Sequence, residues 1–341
     1  MNIIKKISVT NFRCHDHFEL VLTDPTTLII GANGSGKTSI LEALHIALRG
    51  KSFKSTDPNI IKSDKDSYKI EIHLINQNPR TVTYDLLINK KQFQIDDRKS
   101  SRLTPKNRYP IVLFEPTHLN LISGSPSRRR DFLDTLISQI DPLYHQATNK
   151  YEKALKQRNT LLKSDSPSRD KLFPWDIILA KYGSEIILKR KFFIDQINQT
   201  ITQTYNSIAD KSDQIHLTYT NTSIDESRFL IELTKKLIHD LATGSTSFGP
   251  HRDDIIFHFN SRLAIDTASR GELRSTLIAL KFIESELIKN QLNQLPIILL
   301  DDIFSELDDN HQCHLVKNFT SHQTLITSTS TPKNMKPTIR L

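Results

Sequence analysis

The chain contains few cysteines and no long hydrophobic run. Only Cys14 and Cys313 are present, and neither has a second cysteine at CxxC spacing. A disulfide framework or a zinc ribbon is therefore not supported, and a reducing cytoplasm is the expected setting. No stretch approaches the ~20 apolar residues that a membrane-spanning helix needs. The N-terminal residues also lack an apolar segment of the kind that directs secretion, so we expect neither export nor a membrane span.

Internal repeats, low-complexity tracts and long heptad regions are also missing from the sequence, which argues against coiled-coil arms. The 341 residues allow one to two domains, and 37% hydrophobic with 25% charged residues is typical of a globular protein. Lysine and arginine number 46 against 38 aspartate and glutamate residues, a formal charge of +8. This balance favours an acidic partner, either nucleic acid or an anionic membrane surface.

A glycine-rich loop carries the strongest functional signal. Residues 31–38 read GANGSGKT and match the phosphate-loop pattern GxxxxGK[ST] between an apolar strand at 27–30 and a helix predicted at 39–49. In such a loop Lys37 reaches the β- and γ-phosphates and Thr38 ligates Mg²⁺, while backbone N–H groups face the phosphate oxygens. The predicted nucleotide-binding residues are Gly31, Ala32, Asn33, Gly34, Ser35, Gly36, Lys37 and Thr38. The loop alone does not separate kinases, GTPases and DNA motors.

Two adjacent acids follow a second buried strand. Residues 297–300 are uniformly apolar, and Asp301 and Asp302 come directly after them. One acid at this position can hold Mg²⁺, and a second can orient water for attack on the γ-phosphate. We assign Asp301 to the metal and Asp302 to the general base.

Two further segments flank this strand along the chain. Residues 269–272 precede an apolar helix predicted at 271–290, where ABC-type ATPases carry their signature sequence; the residues are Ser269, Arg270, Gly271 and Glu272. Ser269 and the helix N-terminus can bind a γ-phosphate, and the sequence order suggests that they face the nucleotide of another subunit. A serine-capped helix start with Glu272 at the capping position is the structural alternative. Residues 305–308, SELD, occupy the position of the ABC D-loop, so we expect Asp308 near a dimer interface.

With these motifs in this order, the chain resembles the SMC-like group of ABC-type ATPases, and more narrowly the RecF family of bacterial repair proteins. Three further strings narrow the resemblance: NFR at residues 11–13, SRRRDFLD at 127–134 and FGPHRDD at 248–254. The paired aspartates are also specific, since transporters and SMC proteins usually have glutamate as the second acid. The signature departs from the transporter pattern at Ala268 and Arg270, and we find no clear Q-loop glutamine to sense the γ-phosphate.

The fold class expected is α/β: an ABC-type P-loop ATPase head, with a mixed sheet and an antiparallel β-subdomain, and an inserted, mainly helical lobe. Strand patterns place the head in residues 1–114 and 245–341, and helical periodicity from residue 127 to about 240 places the helical lobe in residues 115–244. Alternation in residues 68–93 predicts an antiparallel hairpin, and the polar segment 163–171 predicts a loop between helices.

The resemblance also implies a function. It implies an ATP-dependent homodimer that binds double-stranded DNA at gaps or single-strand/double-strand junctions, with ATP and Mg²⁺ as cofactors. It further implies weak, DNA-stimulated hydrolysis of ATP and cooperation with RecO and RecR in loading RecA. Two other classes stay open: an ATP-independent DNA-binding scaffold that keeps the loop only for its fold, and a P-loop kinase or transporter ATPase subunit.

Two basic clusters on predicted helices are candidates for DNA contact: Arg128, Arg129, Arg130, Lys189, Arg190 and Lys191. Opposed across a dimer, they could follow phosphates without reading bases. A solvated helix face or intramolecular salt bridges are the alternative. The string at 251–253, HRD, is either an internal ion-pair network or a contact with nucleotide or a second subunit, and CHDH at 14–17 lacks the second ligand group of a zinc site.

Overall fold

The structure is a computed structural model that describes residues 3–164, 167–221, 225–331 and 338–341. The chain divides into two compact units: unit 1 consists of Met1–His118 and Glu284–Leu341, and unit 2 of Leu119–Ile283. The first boundary lies close to the one expected from the sequence, whereas the second falls inside a long helix and not at residue 245. The reason is that Ile255–Phe259 pairs with Ile215–Tyr219 in unit 2, so the chain that follows residue 245 belongs with the helical unit.

Unit 1 contains two sheets, whose strands we number along the chain. The antiparallel sheet has the spatial order β2 (His15–Val21), β1 (Ile4–Phe12), β4 (Ser67–Leu74), β5 (Arg80–Asp85), β6 (Lys90–Ile95) and β7 (Arg98–Ser100). The parallel sheet has the order β14 (Ile339–Arg340), β3 (Thr26–Ile30), β13 (Thr324–Ser328), β12 (Ile297–Asp301) and β8 (Ile111–Phe114). The helices are α1 (Lys37–Arg49) and α8 (Asp309–Asn318), with 3₁₀ turns at Asp57–Ile60, Pro105–Asn107, Pro116–Asn120 and Ile303–Glu306.

Helix α1 joins both sheets in one hydrophobic core. Its apolar residues recur at helical spacing and are fully buried: Ile40, Leu41, Leu44, Ala47 and Leu48. They share one cluster with Ile7 and Ile70 of the antiparallel sheet and with Leu299 of the parallel sheet. Because a fully buried leucine or isoleucine contributes about 1.5–3 kcal/mol, this core holds the start of α1 firmly beside the ends of the parallel strands.

Unit 2 is mainly helical. Its helices are α2 (Pro126–Ile140), α3 (Pro142–Leu162), α4 (Arg169–Ala209), α5 (Glu226–Thr243) and α6 (Ala264–Thr267), and α7 (Arg270–Leu292) begins in this unit. A small antiparallel sheet has the order β11 (Arg262–Leu263), β10 (Ile255–Phe259) and β9 (Ile215–Tyr219). Part of the expected loop at 163–171 lies outside the described residues; α4 itself begins at Arg169.

Strand β9 corrects the expectation that residues 127 to about 240 form only helices and the loop at 163–171. Its sequence, IHLTY, buries Ile215 and Leu217 on one face. A segment of five residues is too short for its periodicity to distinguish a strand from a helix, and this one lies between two long helices. Its partner strand β10 lies about forty residues further along the chain. The pairing is therefore non-local, and local periodicity missed it.

Within the described ranges, none of the helices is both long and apolar enough to cross a membrane.

Candidate functional site

The loop at residues 31–36 connects β3 to α1 as the sequence predicted. Gly34 and Gly36 have φ of +84° and +96°, a left-handed conformation that favours glycine. A Cβ on Gly36 would lie 2.3 Å from His15 Nε2, so any other residue there would also displace the His15 side chain. The left-handed Gly36 lets α1 begin at Lys37, two residues earlier than expected, and directs the free N–H groups of its first turn into the loop.

Lys37 is held inside the loop. Its Nζ donates to the carbonyl oxygens of Gly31, at 2.8 Å, and Ala32, at 2.9 Å. The side chain is buried, with 6% of its surface exposed. The ammonium group is therefore positioned by the backbone of the loop that it would serve.

Thr38 and Asp301 meet at the end of the parallel sheet. Thr38 Oγ1 donates to Asp301 Oδ1 at 2.8 Å, although β3 and β12 are separated by β13 in the sheet. Burial raises the pKa of the Asp301 carboxyl above its ordinary value, and hydrogen bonds from Thr38 and Thr327 oppose this shift. The two oxygens that the sequence assigned to a metal thus lie next to each other.

Thr327 is a site residue that the sequence analysis missed. It lies in β13 and is fully buried. Its hydroxyl donates to Asp301 Oδ1 at 2.8 Å and accepts from the Asp302 N–H at 2.9 Å. The signal for it was slight: hydroxyl residues at the end of a short strand, TLITS, parallel to the acidic strand.

Two polar atoms near the loop have unused bonding capacity. Asp302 has a left-handed backbone, with φ 49° and ψ 20°, and its carbonyl accepts a hydrogen bond from Ser305 Oγ at 2.7 Å. Within the described part of the chain, Asp302 Oδ1 and Ser35 Oγ are buried without a hydrogen-bond partner. Because buried polar atoms are normally satisfied, both atoms are suited to bind a group that enters this site.

The predicted signature segment lies in unit 2, at the start of α7. Ser269, Arg270 and Gly271 are exposed. Ser269 and Glu272 form a capping box: the Ser269 N–H donates to Glu272 Oε2 at 2.7 Å, and the Glu272 N–H donates to Ser269 Oγ at 3.3 Å. Glu272 also pairs with Lys211 at 2.7 Å, so the segment is a rigid, exposed helix start.

Asp308 caps helix α8. It accepts from the His311 N–H at 3.0 Å and from His311 Nδ1 at 2.8 Å. These bonds lower the pKa of the Asp308 carboxyl, the backbone bond most strongly. The acid of the predicted D-loop is thus held at the N-terminus of a helix.

The basic clusters are divided between the interior and the surface. Arg129 is buried and bonded through Nε and Nη2 to Asp254, at 2.7 and 2.9 Å. Arg190 is 4% exposed and bonded in the same way to Asp134, at 2.8 Å each. For these two candidates the structure agrees with the alternative of intramolecular salt bridges and not with DNA contact, because their donors are used inside unit 2. The other four lie at or near the surface: Arg128, Arg130, Lys189 and Lys191.

The string at 251–254 forms an internal network in unit 2. His251 bonds to the hydroxyl of Tyr151 at 2.8 Å and to the Thr246 carbonyl at 2.9 Å. Asp253 accepts from the Tyr219 hydroxyl and from Asn221 Nδ2. Burial lowers the pKa of His251 to about 4, so this histidine is neutral at pH 7. In unit 1, the described residues hold no cluster of metal-ligating side chains around Cys14, and His15 bonds to the Gly36 carbonyl.

The fold and the site define a P-loop ATPase head of the ABC and SMC type. A family model described as an AAA ATPase domain matches residues 1–323. A solved Smc head domain shares the fold, with a TM-score of 0.55, 16% sequence identity, and coverage of 97% of this chain and 90% of that chain.

Relatives narrow this class to one family. The DNA replication and repair protein RecF of Natranaerobius thermophilus is 34% identical over 96% of this chain and 91% of the relative. The RecF protein of Agathobacter rectalis is 35% identical over 98% of this chain and 94% of the relative. A solved structure of RecF with ATP superposes with a TM-score of 0.88 and 28% identity, covering 99% of this chain and 94% of that chain. The chain belongs to the RecF family.

Proposed function

We propose that this protein is a DNA-repair ATPase that binds ATP and Mg²⁺ in the loop at residues 31–38 and closes as a homodimer on double-stranded DNA at gaps or strand junctions. Hydrolysis of ATP is slow, is stimulated by DNA and reopens the dimer. RecO and RecR are the proposed protein partners, in loading RecA. The role in DNA repair and the protein partners are inferred from the family, and the binding and hydrolysis of ATP are inferred from the site.

One observation carries the proposal: Asp301, at the end of β12, is hydrogen-bonded to the threonine of the nucleotide loop, and a second acid, Asp302, follows it directly. Thr38 and Thr327 both donate to Asp301 Oδ1, and the neighbouring Asp302 keeps a buried carboxylate oxygen without a partner. A chain that kept the loop only for its fold would have no need for a second acid with an unused oxygen beside it.

The donor set fits a magnesium ion. Mg²⁺ prefers hard oxygen ligands, and Thr38 Oγ1 and Asp301 Oδ1 are such oxygens, 2.8 Å apart. When bound, Mg²⁺ would offset the negative charge on the β- and γ-phosphate oxygens. Lys37 contributes a second positive charge to the same phosphates, and the N–H groups of the loop orient them.

Asp302 is the proposed base for hydrolysis. Its backbone N–H donates to both the carbonyl and the hydroxyl oxygen of Thr327, at 3.2 and 2.9 Å, which holds the backbone that carries the side chain. Its carboxylate can accept a hydrogen bond from water and take up the proton as that water attacks the γ-phosphate.

The second subunit is proposed to complete the pocket. The exposed start of α7 presents Ser269, Gly271 and the positive end of the dipole of a 23-residue helix. ATP that contacts the loop of one subunit and this helix start of the other binds only the closed dimer, so it shifts the population towards closure. Asp308 would lie along the same interface.

DNA contact is proposed for the surface cations of unit 2: Arg128, Arg130, Lys189 and Lys191. Lys189 already pairs with Asp141 at 2.8 Å, and Arg130 donates to the Asp253 carbonyl at 2.7 Å. Phosphate contacts of this kind supply affinity without base specificity and weaken as salt is raised.

The steady-state ATPase rate tests the proposal, measured over a range of protein concentrations with and without linear duplex DNA. The expected rate is slow, rises with DNA and increases more than linearly with protein, because each complete site needs two subunits. A rate that is proportional to protein and indifferent to DNA would overturn the dimer mechanism. Full DNA affinity in a Lys37→Ala variant with added ATP would instead favour an ATP-independent scaffold.

A further inference from the structure

A polar cleft lies in unit 1, apart from the nucleotide loop. It has a volume of about 770 Å³, and its lining includes four cations, Lys5, Arg80, Lys106 and Arg108, and one acid, Asp96. None of the described residues that line it belongs to the loop at 31–38 or to the acidic pair. The cleft lies near the C-terminal end of α1, because Arg80 of its lining donates through Nη1 to the Ala47 carbonyl at 2.9 Å. At 1.5 Å per residue, this end of α1 is roughly 20 Å from the loop.

Arg80 is buried and forms no ion pair with a described residue: burial lowers its pKa, and the charges of Tyr109 and of Asp96, which also line the cleft, only partly oppose this shift. Its side chain is 2% exposed, and its Nε has no hydrogen-bond partner among the described residues. Besides the Ala47 carbonyl, the guanidinium contacts the ring of Tyr109, at 5.6 Å from the ring centre. Across the described part of the chain, no carboxylate lies within 4 Å of it. An unpaired buried charge is costly to hold, so the fold retains Arg80 at a cost in stability.

Other buried arginines of this protein do not share this arrangement. Arg129 pairs with Asp254, and Arg190 pairs with Asp134. Arg158, which is fully buried, pairs with both Asp176 and Asp240. The fold therefore supplies carboxylates to buried guanidinium groups elsewhere but leaves the one beside the cleft unpaired.

The neighbours of Arg80 add positive charge. Arg108 donates through Nε to the Leu103 carbonyl at 3.2 Å, and Arg49 donates to the Tyr109 carbonyl at 3.4 Å. Burial, together with the nearby charge of Arg108, lowers the pKa of Arg49 to about 10. The acid in the lining, Asp96, accepts a hydrogen bond from Asn78 at 2.9 Å. The cleft is thus electropositive and suited to a ligand with more than one negative charge.

The rest of the lining consists of amide side chains, one aromatic ring and two aliphatic side chains: Asn76, Gln77, Asn78, Asn107, Gln294, Tyr109, Leu74 and Ile95. Amides can bond to the edge of a nucleobase, and a tyrosine ring can stack on its face. The volume lies within the range of pockets that hold small organic ligands. A phosphate monoester carries about −1.5 to −2 charges near pH 7, which matches the excess of cations better than a single carboxylate does.

We infer that this cleft binds the phosphate of a nucleoside 5′-monophosphate, with the base against the amides and Tyr109. Two sources have this chemistry: a free mononucleotide, and the phosphorylated 5′ end of a nucleic-acid strand. The site is separate from the proposed ATP site and does not require it to be occupied.

Calorimetric titration of the full chain with deoxyadenosine 5′-monophosphate tests the inference. The Lys106→Gln/Arg108→Gln variant should bind at least ~10-fold more weakly, because it loses two charge-assisted contacts. The matched control, Lys65→Gln/Lys99→Gln, removes the same charge from exposed positions outside the cleft and should bind like the parent. Lys37→Ala should also bind normally, which separates this site from the nucleotide loop. Lys5→Gln, at an exposed position, is a second cleft variant should the double variant fail to fold.

Three results would overturn the inference: equal binding by the cleft variants, loss of binding in Lys37→Ala, or no binding of the nucleotide while a tetraglutamate peptide binds in a cleft-dependent way. Single strands with a 5′-phosphate or a 5′-hydroxyl then separate the two sources. A preference of at least ~10-fold for the 5′-phosphate, lost in the double variant, identifies the strand end. Binding of the free nucleotide without that preference identifies the mononucleotide.

Discussion

Thr38 and Asp301, which lie 263 residues apart in the chain, are joined by a hydrogen bond of 2.8 Å from the threonine Oγ1 to the aspartate Oδ1. Thr327 donates to the same oxygen from the strand between them. The loop, the acidic strand and the middle strand of the parallel sheet therefore meet at one carboxylate. Substitutions that disturb this carboxylate should lower the rate of ATP hydrolysis more than they lower nucleotide affinity.

Thr327→Val removes the hydroxyl that holds Asp301 and the Asp302 N–H while keeping the shape of the side chain. We expect slower ATP hydrolysis, retained nucleotide binding and a loss of about 1–3 kcal/mol in the free energy of unfolding, since a buried hydrogen bond to the Asp301 carboxylate and one of the two bonds of the Asp302 N–H are lost. Thr324→Val, on the same strand, is the matched control. Thr324 Oγ1 is buried with no hydrogen-bond partner among the described residues, so this change should be neutral or slightly stabilising. Equal effects of the two substitutions on hydrolysis would rule out the role given to Thr327.

Lys37→Ala and Asp302→Asn should fail at different steps. Without its ammonium group the loop loses the charge that attracts the phosphates, so Lys37→Ala should not bind ATP and should stay open. Asp302→Asn keeps the shape of the side chain but cannot accept a proton, so it should bind ATP and accumulate as a closed dimer. Nucleotide titration and the molar mass by light scattering with ATP distinguish them. Equal loss of the dimer in both variants would refute this division of roles.

Mixing two inactive variants tests whether the pocket is shared between subunits. Lys37→Ala keeps an intact signature segment, and Ser269→Arg keeps an intact loop. A mixed dimer contains one complete site, so the mixture should hydrolyse ATP faster than either variant alone, up to about half of the rate of a parent dimer for each mixed dimer. If the mixture shows only the sum of the separate rates, the signature segment does not act on the partner's nucleotide.

Arg190→Met and Lys191→Met, at adjacent positions on α4, should have opposite consequences. Arg190→Met removes the ion pair of Asp134, which keeps only a hydrogen bond from the Tyr144 hydroxyl, and the donor to the Pro250 carbonyl. We expect a loss of about 3–5 kcal/mol in the free energy of unfolding. Lys191 is exposed, so its replacement should change stability by less than about 0.5 kcal/mol. Instead it should weaken DNA binding and reduce the salt slope of log K by about 1. DNA affinity and salt slope that match the parent would remove Lys191 from the proposed DNA surface.

His251 should make stability depend on pH. Burial lowers its pKa from 6.5 to about 4, so between these values the unfolded chain binds a proton that the folded chain does not. The contribution is present in full above pH 6.5 and is lost as the pH falls towards 4, a loss of about 2.5 kcal/mol at pH 4.5. Urea unfolding at pH 7 and pH 4.5 should therefore show a smaller loss for His251→Gln than for the parent. The same loss in both proteins would show that His251 does not cause the dependence.

Features built from neighbouring residues were predictable from the sequence. The strand, loop and helix at residues 26–49 follow from an apolar run, glycines at fixed spacing and a 3.6-residue periodicity, all of which are local. The apolar strand ending in Asp301 is equally local. The order of the motifs along the chain was enough to identify the family, which comparison with relatives then confirmed.

Features that depend on distant partners were not predictable. A run such as Arg128 to Arg130 looks uniform in sequence, yet Arg129 is buried against Asp254, 125 residues away, while Arg128 is exposed. Thr327, strand β9 and the second boundary of unit 1 depend on pairings of the same long range. The sequence by itself determined which local elements form and which chemistry they carry, because backbone propensity and periodicity act over a few residues. Only the tertiary structure decided which charges are neutralised inside and which remain available, because burial and ion pairing depend on what the rest of the chain brings beside each side chain.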